Sequence, residues 1–262
     1  MPEPTLLMET TDRVRVFTLN RPDVMNAFDD DMREALVEGL EAAAEDDDVR
    51  CVLITGAGRA FCAGGDIASM AKLQERNDTQ VLEGRVALAA RGVRALRAMR
   101  KPAVAAVNGP AAGAGINLAL ACDIRLGCEN SLFSESFVRI ALVPDWGGFY
   151  FLPRIVGPAK ALELMSTAER VRAEDALRLG LLNRLLPEEG FFEAALNFAR
   201  TLADGPPRAL ASIKEGVYLG ASSDLETALR FEADVQRELF LESDAREGMR
   251  AFLEKRKPSF GG

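Results

Sequence analysis

Histidine is absent from all 262 residues of the chain. That removes Ser-His-Asp and Cys-His nucleophilic catalysis, nearly every zinc hydrolase design and any imidazole acid–base step. Chemistry near neutral pH is left to carboxylates, backbone dipoles or a cofactor. The cysteines are few and show no CxxC spacing: Cys51, Cys62, Cys122 and Cys128. Cys51 and Cys122 lie in apolar runs and read as reduced core thiols. No apolar run reaches the roughly 18–20 residues a bilayer-spanning helix needs, so no membrane partner is expected. The opening MPEPTLLMETTDRVRV has neither the apolar stretch of a signal peptide nor the Arg/Ser-rich character of a transit peptide, and a cytoplasmic location is expected. Positive charge is in deficit, with 32 Lys and Arg against 40 Asp and Glu and a net charge of −8. A sequence-tolerant nucleic-acid binder would normally be basic, so no nucleic acid is expected as a partner.

What is present is ordinary for a globular enzyme: 48% apolar and 27% charged residues. Those values exclude global disorder and coiled coil. The length suits one α/β domain of about 200 residues with an appended element. LLMET and VRVFTLN predict two strands around a turn at Thr11-Asp12, the second alternating Val14, Val16 and Thr18 against Arg13, Arg15 and Phe17. Residues 29–46 place Met32, Leu36, Leu40 and Ala43 on one helical face, with aspartates at the front where the helix dipole favours them. CVLIT (51–55) and AVAAV (103–107) read as buried strands, and 123–127 as another. A polar stretch over 66–80 leads to a helix at about 80–99. The alternation of short apolar strands with helices over roughly 180 residues argues for a sheet buried on both faces. From about 190 the pattern is all helix, over 190–203, 207–217, 223–241 and 243–255. The chain thus divides into a core of 1–190 and a helical segment of 191–262, with Gly205-Pro206-Pro207 marking a break. The tail is too thin to bury much apolar area alone and should pack on the core or on another subunit.

Two Gly/Ala-rich segments follow strands directly: Gly56 to Ile67, and Asn108 to Asn117, which opens a helix. Small residues let a ligand approach the backbone, and a helix N-terminus offers unpaired N–H groups. Two such loops converging would form a two-donor oxyanion hole; the alternative is that the glycines only make tight turns. Each segment begins a GxGxxG, but Phe61 and Leu118 occupy the third glycine position, so neither completes a dinucleotide fingerprint. GxxxxGK[ST] does not occur. A third segment, Ala141 to Gly148, sets Asp145 between a proline and the single tryptophan, Trp146. Asp145 is either a helix N-cap or a general base whose pKa is raised by apolar neighbours such as Trp146, Phe137 and Phe149.

Taken in order, LNRPDVMNAFDDDM, ITGAGRAFCAGGDI, KPAVAAVNGPAAGAGINLALACDIRL, ALVPDWGGFYFLPRIVG and REGMRAFLEKRKPSF resemble the enoyl-CoA hydratase/isomerase, or crotonase, superfamily nearly end to end. The resemblance implies an α/β fold built as a ClpP-like spiral of ββα units. It implies a helical C-terminal trimerisation segment, so that a homotrimer or a hexamer (dimer of trimers) is expected. It implies an acyl-CoA thioester as substrate, with coenzyme A as part of it, no other cofactor and no metal. The oxyanion-hole N–H groups would be those of Gly65 and Ala114. CoA would lie against Val24, Asn26 and Ala27 and against Ala63, Gly64, Asp66 and Ile67. Lys255 could reach the CoA phosphates of a neighbouring subunit or be a solvated charge. Asp66 and Asp123 also read as turn or helix-end residues. Hydratases of the family carry glutamates where this chain has Asn117 and Phe137, and neither residue can activate water or protonate a carbon. Asp145 matches the base of a group of Δ3,Δ2-enoyl-CoA isomerases. The segments RAFCAG, AVNGPAAGAG, LVPDWGG and REGMRAFLEKR resemble the ring-1,2-epoxyphenylacetyl-CoA isomerase branch of phenylacetate catabolism. The expected activity is therefore isomerisation with Asp145 as proton shuttle. The alternative is a hydratase using Glu135 or Asp145 unconventionally, or another CoA thioester reaction.

Overall fold

A computed structural model of the chain describes residues 3–261; Met1, Pro2 and Gly262 lie outside the described residues. The strands are β1 (Leu6–Thr11), β2 (Val14–Leu19), β3 (Cys51–Gly56), β4 (Ala103–Val107), β5 (Pro110–Ala112), β6 (Ile124–Gly127), β7 (Leu132–Ser134), β8 (Val171–Arg172) and β9 (Arg184–Leu185). The helices are α1 (Asp30–Glu45), α2 (Ile67–Glu75), α3 (Thr79–Ala98), α4 (Ala114–Ala121), α5 (Gly148–Val156), α6 (Pro158–Thr167), α7 (Ala173–Leu179), α8 (Phe191–Ala203), α9 (Pro207–Gly220), α10 (Leu225–Phe240) and α11 (Ser243–Glu254).

β1 and β2 form an antiparallel hairpin pairing Leu6 with Leu19 and Thr11 with Val14. Its loop is Asp12-Arg13, both at positive φ, the paired left-handed geometry that matches strand twist; the turn falls one residue later than expected. The remaining pairs of the six-stranded sheet, in the order β1-β2-β3-β4-β6-β9, are parallel. Its central strands divide their side chains by period 2. Val52, Ile54, Ala103 and Ala105 enter one core, while Cys51, Leu53, Val104 and Ala106 enter the other. The first core is closed by α1 and α3, through Leu36, Leu40 and Leu96. The second is closed by α8, through Phe191, Ala195, Leu196 and Ala199. By packing, then, α8 belongs to the core, and the helical tail starts after the break at Gly205-Pro206-Pro207 rather than at 191. All four cysteines are free and buried, and burial raises the thiol pKa of both Cys62 and Cys122 to about 12.

A small second sheet, β5-β7-β8, runs beside the first. Each turn of chain adds a strand to the large sheet, then a strand to the small one, then a helix: β4-β5-α4, then β6-β7 and α5. The turn beginning at β3 follows the same course, because Cys62 bridges to Ala111 of β5 before α2 starts. This repetition is the expected spiral of ββα units. The stretch over 66–80 departs from expectation by holding α2. That helix buries none of its residues, so its apolar positions mark no core face that periodicity could reveal.

Candidate active site

The first component is the pair of glycine-rich loops. Residues 63–66 lie against 25–28 through Ala63 N–H to Met25 O (2.9 Å), Phe28 N–H to Gly64 O (2.7 Å) and Asp66 N–H to Phe28 O (3.0 Å). Gly64 adopts φ +96°, and a Cβ there would stand 2.8 Å from the Ala112 carbonyl and 3.3 Å from the Ala114 nitrogen. The second loop is just as close, since a Cβ on Gly115 would stand 2.2 Å from the Cys62 carbonyl. Only glycine lets the two backbones meet at this distance. Ala114 is the first residue of α4. Neither the Gly65 nor the Ala114 N–H donates a hydrogen bond among the described residues. These are two unspent donors, one of them at a helix N-terminus, the kind of group that stabilises an anion with little reorganisation.

The second component is Asp145. It does not cap α5: the residue before that helix is Gly147, in the left-handed region, with no side-chain cap. The carboxylate Oδ1 of Asp145 is buried without a hydrogen-bond partner. Burial raises the Asp145 pKa to about 6, against the lowering effects of the Arg33 charge and of its own backbone amide. Arg33 is itself buried, paired with Asp30 at 3.1 Å, and its guanidinium lies 5.7 Å from the centre of the Phe28 ring. The backbone of Asp145 is held by Asn117, whose Nδ2 donates to the Asp145 carbonyl at 2.9 Å. Asn117 lies three residues into α4 from Ala114, so the same helix that offers the donor also fixes the acid.

The aromatic residues near Asp145 in the sequence take different positions. The Trp146 ring stacks on Phe28 at 5.4 Å between centroids and fills space beside Gly92 and Val37. It is 2% exposed and forms a core wedge between α1 and α3. Phe149 is 59% exposed. Phe137 does approach the loops, within 3.7 Å of a Cβ placed on Gly113.

The residues expected to meet CoA separate into two kinds. Val24 and Ile67 are exposed on neighbouring segments, Ala27 is buried and Ala63 half-buried. Asn26 is fully buried and its side chain is spent: Nδ2 donates to the carbonyls of Ala57 and Ala60, and Oδ1 accepts from Arg21 N–H. Asp66 caps α2 by accepting from Ser69 N–H and pairs with Arg21 at 3.1 Å, a structural duty. Lys255 is exposed at the end of α11 and makes no ion pair among the described residues.

Two features escaped the sequence reading. One is a cavity of about 330 Å³ lined by Ile67, Met70, Leu73, Leu82, Ile140 and Leu142. It opens next to the loops, since Met70 Sδ lies 3.3 Å from a Cβ placed on Gly65. The other is the environment of Glu135, 2% exposed with both carboxyl oxygens unpartnered.

The chain matches the model of the enoyl-CoA hydratase/isomerase family over residues 9–262. It belongs to that family. Among curated relatives it is 40% identical over 258 residues to a Rhodobacter capsulatus protein named "Probable enoyl-CoA hydratase", covering 98% of each chain. It is 38% identical over 255 residues to the 1,2-epoxyphenylacetyl-CoA isomerase of Escherichia coli, covering 95% of each. Among solved structures it superposes on an enoyl-CoA hydratase from Polaromonas sp. JS666 with a TM-score of 0.92 at 34% identity, covering 98% of this chain and 99% of that one. The spiral described above is therefore the crotonase fold. The protein is a CoA-thioester enzyme of the hydratase/isomerase family, and relatives of both names share its scaffold.

Proposed function

We propose that this enzyme is an acyl-CoA isomerase that shifts a double bond, or opens a ring epoxide, with Asp145 as the single proton shuttle. The observation that carries this reading is the Asp145 carboxylate, buried on one oxygen, unpartnered, and held by Asn117 to the helix that presents the Ala114 N–H. With a pKa near 6 it is mostly ionised at neutral pH, and its conjugate acid is still strong enough to return a proton. For a 3-enoyl thioester the steps balance on this one group. Asp145 takes the Cα proton. The C–H electron pair moves into a dienolate whose oxygen accepts from the Gly65 and Ala114 N–H groups. Protonated Asp145 then delivers the same proton to Cγ, leaving the conjugated 2-enoyl thioester. The same carboxylate serves for the α-proton of a ring epoxide. Hydration needs a second group for the other proton, and Asn117 and Phe137 supply none.

In this reading the apolar cavity between α2 and α3 receives the acyl group. CoA runs along Val24–Ala27 and Ala63–Ile67, with Lys255 of a neighbouring subunit at its phosphates. No further cofactor or metal takes part, and the enzyme works as a homotrimer or hexamer in the cytoplasm.

The deciding experiment supplies cis-3-hexenoyl-CoA and follows conjugated-thioester absorbance, with crotonyl-CoA hydration measured alongside. Rapid conjugation with negligible hydration is expected, and Asp145→Asn should lower it by about 10²–10⁴-fold while the fold and CoA binding persist. Unchanged turnover in that variant would falsify the role. A second reading, hydration through Glu135, is favoured by the buried carboxyl of that residue and by relatives named as hydratases. It requires fast crotonyl-CoA hydration that disappears in Glu135→Gln.

A further inference from the structure

The buried side-chain N and O atoms without a hydrogen-bond partner among the described residues are Asn117 Oδ1, both Glu135 carboxyl oxygens, Asp145 Oδ1 and Trp146 Nε1, and the first three of these residues act on one another. Native interiors rarely leave such atoms orphaned, because each costs its full desolvation energy. The Asp145 oxygen is explained by its role as a base. Asn117 and Glu135 are not. The Asn117 amide nitrogen is already committed to the Asp145 carbonyl, so its Oδ1 faces the interior as an acceptor with no donor. Gly113 N–H at the start of α4 donates to the carbonyl of Ser134 at 3.0 Å, which brings the next residue, Glu135, to this helix, where the Asn117 side chain acts on its carboxyl. As a carboxylate Glu135 would also be acceptor-only. No cation pairs with Glu135 among the described residues. The charged group that acts on it is Asp145, which is itself an anion.

We infer that Glu135 carries its proton at neutral pH and donates it to Asn117 Oδ1, so that a neutral carboxylic acid fixes the amide that positions Asp145. One proton then satisfies two of the orphaned groups at once. Glu135 is in this proposal a positioning residue acting through Asn117, its oxygens sealed from solvent. The direction of titration agrees. Burial and the Asp145 charge raise the Glu135 pKa to about 8, the Asn117 side chain working against them, while the Arg33 charge acts on Asp145 and helps keep it lower. The two carboxyls are thereby set apart, Asp145 ionised and Glu135 neutral, across the working pH range.

This inference rests on the isomerase reading for its kinetic consequences but not for its test. The alkaline limb of kcat should fall as Glu135 ionises near pH 8, and the acid limb as Asp145 protonates near pH 6. Glu135→Gln keeps a donor for Asn117 and cannot ionise, so it should retain kcat at pH 7 within about threefold and lose the alkaline limb. Glu135→Ala removes the donor and should cost on the order of 10²-fold through misplacement of the base. Two readouts need no turnover. Infrared difference spectra of substrate-free wild-type enzyme at pH 7 should show a protonated carboxylic acid that is absent from Glu135→Gln. Glu135 holds a proton when folded that it releases when unfolded above its ordinary range. From pH 6 to 8, above the Asp145 titration, wild-type stability should therefore fall, by up to about tenfold in the unfolding constant per pH unit, and the decline should vanish in Glu135→Gln. Loss of isomerisation in Glu135→Gln as complete as in Asp145→Asn, or no protonated band and no stability decline, overturns the proposal. A wild-type enzyme that does not isomerise overturns the isomerase reading instead and leaves the spectroscopic and stability tests to decide Glu135.

Discussion

Asn26 shows how a single side chain can serve a site without touching it. It joins the backbone of Arg21 to the carbonyls of Ala57 and Ala60, and it does so from the left-handed region at φ +57°, which Asn tolerates better than most residues. Asn26→Ala would strand buried carbonyls and should cost about 1–3 kcal/mol for each group left unsatisfied. Urea denaturation should report that loss, and KM for an acyl-CoA should rise more than kcat falls, since the 24–27 segment shifts while Asp145 stays in place. At this scale the sequence was informative where chemistry demands a rare residue type. The glycines at 64 and 115 and the lone aspartate before Trp146 stand out in the chain. Asn26 and Glu135 do not, because a buried amide and a buried acid look in sequence like any surface polar residue. The stacking of Trp146 on Phe28 was likewise not legible, since proximity in the chain says nothing of which way an indole ring turns.

At the scale of elements, α9 is fastened to the core by charge. Lys214 Nζ lies 2.8 Å from Asp123 Oδ2, both side chains being nearly buried, and donates also to the Leu96 carbonyl at 2.8 Å. Tyr218 donates to the other Asp123 oxygen at 2.6 Å, and Ala103 N–H completes the set. Asp123 is thus an anchor for the first tail helix, a structural duty of a different kind from the turn or helix-end role its sequence position suggested. Lys214→Met leaves Asp123 buried without its cation and should destabilise by about 3–5 kcal/mol. Limited proteolysis should then cut between α8 and α9 before it cuts the core. The long elements were legible: α1 and α3 by their periodicity, β3 and β4 by unbroken apolar runs. The strands of the small sheet were not, since runs of two or three residues carry no period. α2 escaped because its apolar side faces a cavity instead of a core.

For the molecule as a whole, the outer surface of the tail is the anomaly. Ile213 and Val217 on α9, Phe240 and Leu241 at the end of α10, and Phe252 and Leu253 on α11 are each at least 60% exposed. Large apolar side chains left this exposed are characteristic of an interface, the role the resemblance assigned to the tail of a homotrimer or hexamer. Phe252→Glu combined with Leu253→Glu should shift the mass measured by light scattering toward that of one chain, with the core's circular dichroism retained. If the mass is unchanged, α11 is not the contact. The burial of the sheet on both faces followed from the alternation of strands and helices, whereas the extent of the core did not. An apolar helix such as α8 reads the same whether it covers its own sheet or a neighbour.

The four buried thiols have a practical consequence. Two of them are held at pKa values near 12, and all are shut away from solvent, so maleimides and similar electrophiles find no accessible thiol on the folded protein. A cysteine introduced beside the cavity between α2 and α3, for instance by Gln74→Cys on α2, would carry a fluorophore at that one place. Substrate entry could then be followed by emission in the otherwise unaltered enzyme, with no native cysteine first replaced.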